Sequence, residues 1–392
     1  MKLIYRWRRI SVNVVVQRKA QERANQILCN MVRVTQRRMR GTHDAQMVIV
    51  RGISYIVYSA NDIRPGEGYS WPEEYCAMSL VDVAENRLIA TKEIAVPSQG
   101  FANTQLKAGA CFVPRILQKD ENTLRCFFLS MDVQNRETES WYRDYYISEG
   151  CFSDCIYPLW METAQRKIRL SPTPFYEEAK KQGFSKALTQ DGPYLFDVDK
   201  VIDGKRYVML NLYSGQLNAL AEFNDALDTL RIHSFIIEPQ HEGLCEAAIE
   251  KRPDGHFVAI LRNDVGNQNY RFALSEDGLN WTAANEWPIV ENGSNSKPFL
   301  YRYGDLYCMG WQEKPERSRF NIDVSYDFKH WIRAFAFNDL DFSLQYPSLY
   351  EWAGMLYICG THGRLGGGYD LRDSIYFGQL CSVEDLHHIA DE

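Results

Sequence analysis

Ser275-Glu276-Asp277-Gly278-Leu279-Asn280-Trp281 and Ser325-Tyr326-Asp327-Phe328-Lys329-His330-Trp331 both read Ser-x-Asp-x-x-x-Trp, fifty residues apart. Each follows an alternating apolar run: Tyr270-Arg271-Phe272-Ala273-Leu274 before the first, Phe320-Asn321-Ile322-Asp323-Val324 before the second. The pattern predicts a tight turn closing one strand and a Trp leading into the next. The Asp carboxylate is expected to cap the N–H groups of the turn, and the indole to pack between neighbouring sheets. Units of 40–50 residues that each carry such a hairpin are a sign of propeller blades.

Outward from these turns the same unit recurs. An apolar run, a tight turn and a second apolar run occur at 249–261 around Pro253-Asp254-Gly255, at 299–309 around Gly304-Asp305, and at 349–359 around Ala353-Gly354. Upstream, 194–212 repeats the unit around Asp203-Gly204, and Asp225 precedes Asp277 by 52 residues. Less regular units lie at 47–82 and 110–148, and residues 374–380 supply a last strand. Hairpins of this spacing predict an all-β chain, a six-bladed β-propeller over 43–392. A long insertion at 161–192, with 176–182 as a helix candidate, is expected to cover or line a functional face.

Composition agrees with a β fold. The chain has 392 residues, 45% hydrophobic and 13% aromatic, with 23 Tyr and 9 Trp. No apolar run approaches the ~20 residues of a membrane helix. Residues 1–42 carry eleven Lys/Arg against one acid, Glu22, whereas the remainder has a net charge of −17. The basic head reads as an N-terminal extension outside the propeller, with a helix over 21–39 placing Ala24, Ile27, Leu28, Met31 and Val34 on one face. Nucleic acid is not expected as a partner. Residues 12–16 are too short for a secretory apolar core, so a cytoplasmic location is the default. The ten Cys are scattered without Cys-x-x-Cys or zinc spacing, which points to buried thiols and to no metal or cofactor, with Cys151 and Cys155 the one conceivable bridge.

The ordered pieces resemble the sialidase superfamily of six-bladed propellers, best over 240–360. Glu246 precedes Pro253-Asp254-Gly255 and Arg262, as in a blade of that family. The two Ser-x-Asp-x-x-x-Trp turns correspond to its Asp boxes. Arg317 lies eight residues before Ser325, and Tyr346-Pro347-Ser348-Leu349 stands where the last blade opens. The family's first blade opens with Arg-Ile-Pro; this chain has Thr42-His43-Asp44 there, and its Arg-Ile pair is Arg115-Ile116 in the second unit.

The resemblance implies a carbohydrate-active enzyme with Tyr346 as nucleophile. A phenol has an unperturbed pKa of about 10 and needs an adjacent base, for which Glu246 is the candidate. A carboxylate inside Leu244-Cys245-Glu246-Ala247-Ala248 requires a partner in any case. Arg262 and Arg317, with Arg115, are candidates to hold an anionic sugar by guanidinium forks. His43 and Asp44 head the first blade and are candidate proton donors. Lys297, Trp311, Gln312 and His362 are further candidates for substrate contact. An exo-acting glycoside hydrolase on an acidic or complex glycan is the leading expectation. A lyase on uronate glycans and a non-catalytic glycan-binding propeller stay open beside it.

Overall fold

The computed structural model describes residues 14–66, 73–164, 166–184, 191–212, 217–236, 243–286, 289–315, 317–338, 343–363 and 372–392. The basic opening at 1–9 and residues 165 and 185–190 of the insertion lie outside them.

β-branched and aromatic runs broken by tight turns produce six sheets, each built on antiparallel hairpins. After α1 (Val14–Asn30) and β1 (Val32–Arg33), the first blade is β2 (Gly41–Val50), β3 (Ile53–Asn61), β4 (Tyr75–Asp82) and β5 (Arg87–Ala95). The second is β6 (Cys111–Gln118), β7 (Thr123–Met131) and β8 (Thr138–Tyr146), edged by β9 (Cys151–Phe152) and β10 (Tyr157–Pro158). β11 (Trp160–Glu162), β12 (Lys167–Arg169) and α2 (Pro172–Lys181) precede the third blade, β13 (Tyr194–Ile202), β14 (Lys205–Leu212), β15 (Leu217–Phe223) and β16 (Thr229–Ile236). The fourth is β17 (Leu244–Lys251), β18 (Phe257–Asn263), β19 (Arg271–Ser275) and β20 (Asn285–Glu286). The fifth is β21 (Phe299–Tyr303), β22 (Leu306–Glu313), β23 (Arg319–Ser325) and β24 (Ile332–Phe337). β25 (Ser343–Trp352), β26 (Met355–Gly363) and β27 (Ser374–Ser382) form the sixth, before α3 (Val383–Ala390).

The first strands of successive blades pack side by side around a central channel. The core lies between blades: one apolar cluster joins blades 1 and 2 through Val57, Met78, Phe128 and Trp141, and another joins blades 6 and 1 through Met47, Tyr58, Cys359 and Phe377. Burial on both faces explains why β2 is buried along its whole length. At the hairpin tips, Asp203-Gly204 and Ala353-Gly354 have positive φ at both central residues (50° and 77°, 52° and 76°), the geometry whose twist matches the flanking strands.

The two heptapeptides form the expected turns. Leu279 and Asn280 donate their N–H groups to Asp277 Oδ1 at 2.8 and 2.9 Å, and Lys329 and His330 do the same to Asp327 at 2.8 Å. The N–H groups of Asn280 and Leu279 hold the Asp277 carboxyl well below the usual carboxylate range. Trp281 donates its indole N–H to Ser234 of the third blade at 2.9 Å, and Trp331 is buried between blades 4 and 5. In the third blade it is Asn224, not Asp225, that caps the turn, accepting the N–H groups of Asp228 and Thr229 at 3.1 Å.

The N-terminal segment departs from its expectation. The helix runs Val14–Asn30 and not over 21–39, because Val32 and Arg33 pair with Phe377 and Tyr376 as the outermost strand of the sixth blade. The chain's beginning therefore closes its last sheet, and residues 32–33 are part of the propeller. Ala24 and Ile27 of α1 join the core of blades 5 and 6. In the insertion the helix runs Pro172–Lys181 and not over 176–182; β11 pairs parallel with β16 on the outer edge of the third blade, and α2 buries Phe175 against Phe235 there. All ten cysteines are free thiols, Cys151 and Cys155 included, and Cys76, Cys111, Cys126, Cys245, Cys308 and Cys359 are buried.

Candidate active site

Five of the six innermost strands carry an irregularity near their start. The ladder slips between His43 and Gln46, Phe112 and Arg115, Phe196 and Lys200, Cys245 and Ala247, and Gln345 and Ser348. At these bulges Asp44, Val113, Asp197, Glu246 and Tyr346 have φ of 56°, 51°, 52°, 43° and 50°. A left-handed backbone costs an L-residue about 1–2 kcal/mol, so these conformations persist only where surrounding contacts hold them. A bulge also re-aims the side chains beside it. In the fifth blade Lys297 occupies the matching place before Pro298, as Val113 and Tyr346 precede Pro114 and Pro347.

Tyr346 and Glu246 meet across the channel. The Tyr346 hydroxyl donates to Glu246 Oε2 at 2.6 Å with Oε1 at 2.8 Å, and the two groups are 3% and 6% exposed. Arg262 Nη1 donates to the same hydroxyl at 2.5 Å and lies 2.8 Å from Glu246 Oε2. Its Nε is held by Asp264 Oδ1 at 2.7 Å. Arg317 lies 5.3 Å from the Tyr346 ring centroid, with Nε and Nη2 on the Asn295 carbonyl. His43 packs on the same ring with centroids 4.3 Å apart.

Beneath this pair lies a second knot of charge. Asp44 accepts from Arg115 Nη2 at 2.6 Å and from Lys297 Nζ at 2.5 Å, and Lys297 is also 5.2 Å from the Tyr346 ring. Burial pushes the Asp44 carboxyl up, but Arg115 and Lys297 outweigh it and hold the group below its usual value. Burial, then the charges of Arg372, Arg317, Lys297 and Arg262, push the His43 imidazole well below 6.5. The surroundings thus favour the ionised carboxylate at Asp44 and the neutral ring at His43, whose Nε2 and Nδ1 face Arg372 and Thr361.

Several expected substrate contacts are placed elsewhere. Arg115 is 2% exposed and commits Nε, Nη1 and Nη2 to Leu195 O, Pro114 O and Asp44, so it braces the floor rather than facing a ligand. Trp311 is buried between blades 4 and 5, its indole N–H on Asp323 Oδ2 at 2.7 Å. Gln312 is fully buried; it accepts from Ser296 Oγ and donates to the carbonyl of Leu344, tying together chain segments that carry Lys297 and Tyr346. His362 pairs with Asp373 at 2.9 Å beside Tyr376.

One residue was not anticipated. Arg372 enters from the start of β27, donates to Gln345 Oε1 at 2.8 Å and lies 5.9 Å from the Tyr346 ring. The third guanidinium beside the phenol comes from the sixth blade and not from an Arg-Ile step in the first. No motif marks it, since Arg372 follows a Gly-rich stretch and only the closing of the ring brings it to Tyr346. A better signal for the ring existed in Val113-Pro114, Lys297-Pro298 and Tyr346-Pro347: a proline lacks the N–H a ladder needs and sits where an inner strand is interrupted.

No protein family's sequence profile matches the chain, and no curated protein matches it. Solved structures do. Trypanosoma rangeli sialidase superposes with a TM-score of 0.62 at 12% identity, covering 92% of this chain and 58% of that one. A protein of unknown function from Dyadobacter fermentans gives 0.62 at 12% identity over 89% and 97% of the two chains. A Hadza microbial sialidase gives 0.56 at 11% identity, covering 88% and 66%. The likeness is one of fold, a six-bladed propeller, and this chain spans little more than half the length of the Trypanosoma enzyme. Among the described residues no helix is long and apolar enough to cross a membrane, and no group of His, Cys, Asp or Glu is placed to hold a metal ion.

Proposed function

We propose that the protein is a sialidase-like glycoside hydrolase acting on an anionic glycan, with the Ser275 and Ser325 turns as its Asp boxes. The observation that carries this is the Tyr346 hydroxyl bonded to both Glu246 oxygens with Arg262 on the same oxygen. Glu246 takes the phenolic proton, and the phenolate charge forms among Arg262, Arg317, Arg372 and Lys297, which lowers the cost of making a nucleophile from a phenol. The phenolate attacks the anomeric carbon as the bond to the leaving oxygen breaks. The leaving oxygen is protonated from the solvent side, since the surroundings disfavour the carboxylic acid at Asp44 and the imidazolium at His43. Water then attacks the anomeric carbon and loses a proton to solvent as the bond to the Tyr346 oxygen breaks, and the phenolate takes back the proton that Glu246 holds. The three guanidinia are suited to the sugar's carboxylate. Structures of Trypanosoma rangeli sialidase with sialic acid and with 2,3-difluorosialic acid as a covalent intermediate are consistent with that chemistry on this fold.

The test is a screen of sialosides and uronate-containing oligosaccharides, read both for new reducing ends and for the ultraviolet absorbance of an unsaturated uronate. Release of reducing ends that is lost in Tyr346→Phe and Glu246→Gln supports hydrolysis. An unsaturated product replaces it with a lyase. Binding without turnover makes the propeller a glycan-binding module.

A further inference from the structure

The far end of the central channel holds a second cavity, of about 470 Å³, that the chemistry above does not use. Volumes of about 300–1,000 Å³ are those of small-ligand sites. It lies where the same inner strands end: Leu117 of β6, Tyr301 and Tyr303 of β21, and Leu349 and Tyr350 of β25 line it. It is separated from the Tyr346 end. Between them the buried Asp197–Lys200 pair, 3.5 Å apart, lies against Tyr301, whose ring centroid is 3.8 Å from Lys200 Nζ. The space there, lined by Arg115, Lys297 and Asp197, amounts to about 30 Å³, room for a water or two.

Its walls are aromatic and its rim is charged in both senses. Tyr301 and Tyr303 stack with centroids 6.3 Å apart at 20°. The Tyr303 hydroxyl is buried and has no hydrogen-bond partner, although the residue is only 6% exposed. A buried hydroxyl left so costs about 1–3 kcal/mol, which a bound ligand would recover. Burial pushes the Tyr303 phenol well above 10, with smaller contributions from Cys308, Tyr301, Asp199 and Glu351, and Asp199 also acts on the buried Tyr301 and Tyr350. Asp120, Asp199 and Glu351 supply acceptors around the opening, and Lys119 and Arg206 supply donors.

We propose that this lower cavity is a second, non-catalytic binding site for a neutral sugar unit. An anion entering it would face three carboxylates, and a cation would face Lys119 and Arg206 with Lys200 already on the Tyr301 ring. A neutral polyol both donates and accepts, so it can satisfy the mixed rim and the Tyr303 hydroxyl together. The apolar face of a pyranose suits the tyrosine walls.

Saturation-transfer NMR on the full chain with the methyl glycosides of glucose, galactose, mannose and N-acetylglucosamine tests the site. Transfer to at least one glycoside is expected, with affinity falling about 3- to 10-fold in Tyr303→Phe, which removes only the orphan hydroxyl. Asp199→Asn should weaken binding as well, which keeps the test open should Tyr303→Phe fold poorly. Tyr346→Phe should leave it unchanged, a result that stands whether or not the upper end is a hydrolase. No transfer from any glycoside overturns the proposal. So does transfer that survives both lower-end substitutions, or that vanishes in Tyr346→Phe.

Discussion

The two ends of the central channel are built from the same six strands and differ in almost everything else. At the upper end, bulged strand starts bring Glu246, Tyr346, Asp44 and Lys297 together, and cations and carboxylates neutralise one another in a buried floor. At the lower end the strands run on regularly, the side chains are tyrosines and aliphatics, and the charges stay at the rim around open space. A propeller repeats its strands but not its strand ends, so one scaffold can carry a charge-locked centre and a roomy aromatic pocket. The difference follows from backbone geometry: bulges at the upper end cost conformational energy that its buried ionic contacts repay.

The sharpest way to break this contrast is at the phenol. Tyr346→Phe and Glu246→Gln should each cut turnover about 10²- to 10⁴-fold on any substrate the glycan screen yields, and Glu246→Gln should also lower the melting temperature because the buried Arg262 loses that counter-charge and keeps Asp264. Full activity in both would reduce the upper end to a structural ion-pair knot.

Next in size is the floor itself. Asp44→Asn leaves the buried Arg115 and Lys297 without their shared counter-charge and should cost about 3–5 kcal/mol in urea denaturation. A loss below about 1 kcal/mol would mean that water reaches this end as freely as the other.

A smaller effect should appear with pH. Burial and the neighbouring cations hold the folded His43 well below its usual value, while an unfolded His takes a proton near pH 6.5. Below that pH the unfolded state binds more protons, so the contribution of His43 is complete above about pH 7 and is lost on acidification at about 1.4 kcal/mol per unit. The stability difference between the native chain and His43→Gln should therefore shift by about 2 kcal/mol between pH 7 and pH 5. A difference that does not move with pH would show a solvated imidazole.

The smallest effect belongs to the lower rim. Glu351 is exposed, and Glu351→Gln should change stability by no more than about 0.5 kcal/mol and leave turnover alone. A larger change would tie the two ends together.

Much of this was legible in the order of residues. The Ser-x-Asp-x-x-x-Trp turns and the hairpin glycines are local signals: a side chain bonds backbone groups two or three residues on, and a glycine permits a conformation the turn demands, so neither depends on distant chain. Glu246 stood out because a carboxylate in an apolar run requires a partner, and Tyr346 through its place in a family-like order. The contributions of β1 and Arg372 were not legible. A two-residue strand carries no periodicity, and an arginine before the last strand looks like any surface charge until the ring closes.

Sequence by itself determined the blades, their turns and the residue types at the heads of the inner strands, because those depend on interactions within a few residues. Only the tertiary structure decided which of those residues meet. Closure of six sheets set Tyr346 against Glu246, a hundred positions away, brought Arg372 to the same ring, and turned Arg115 and Gln312 inward. It also set the direction in which His43 and Asp44 are shifted, through their burial and through guanidinium and ammonium groups that other blades carry. Charge acts through space, and distance along the chain does not encode it.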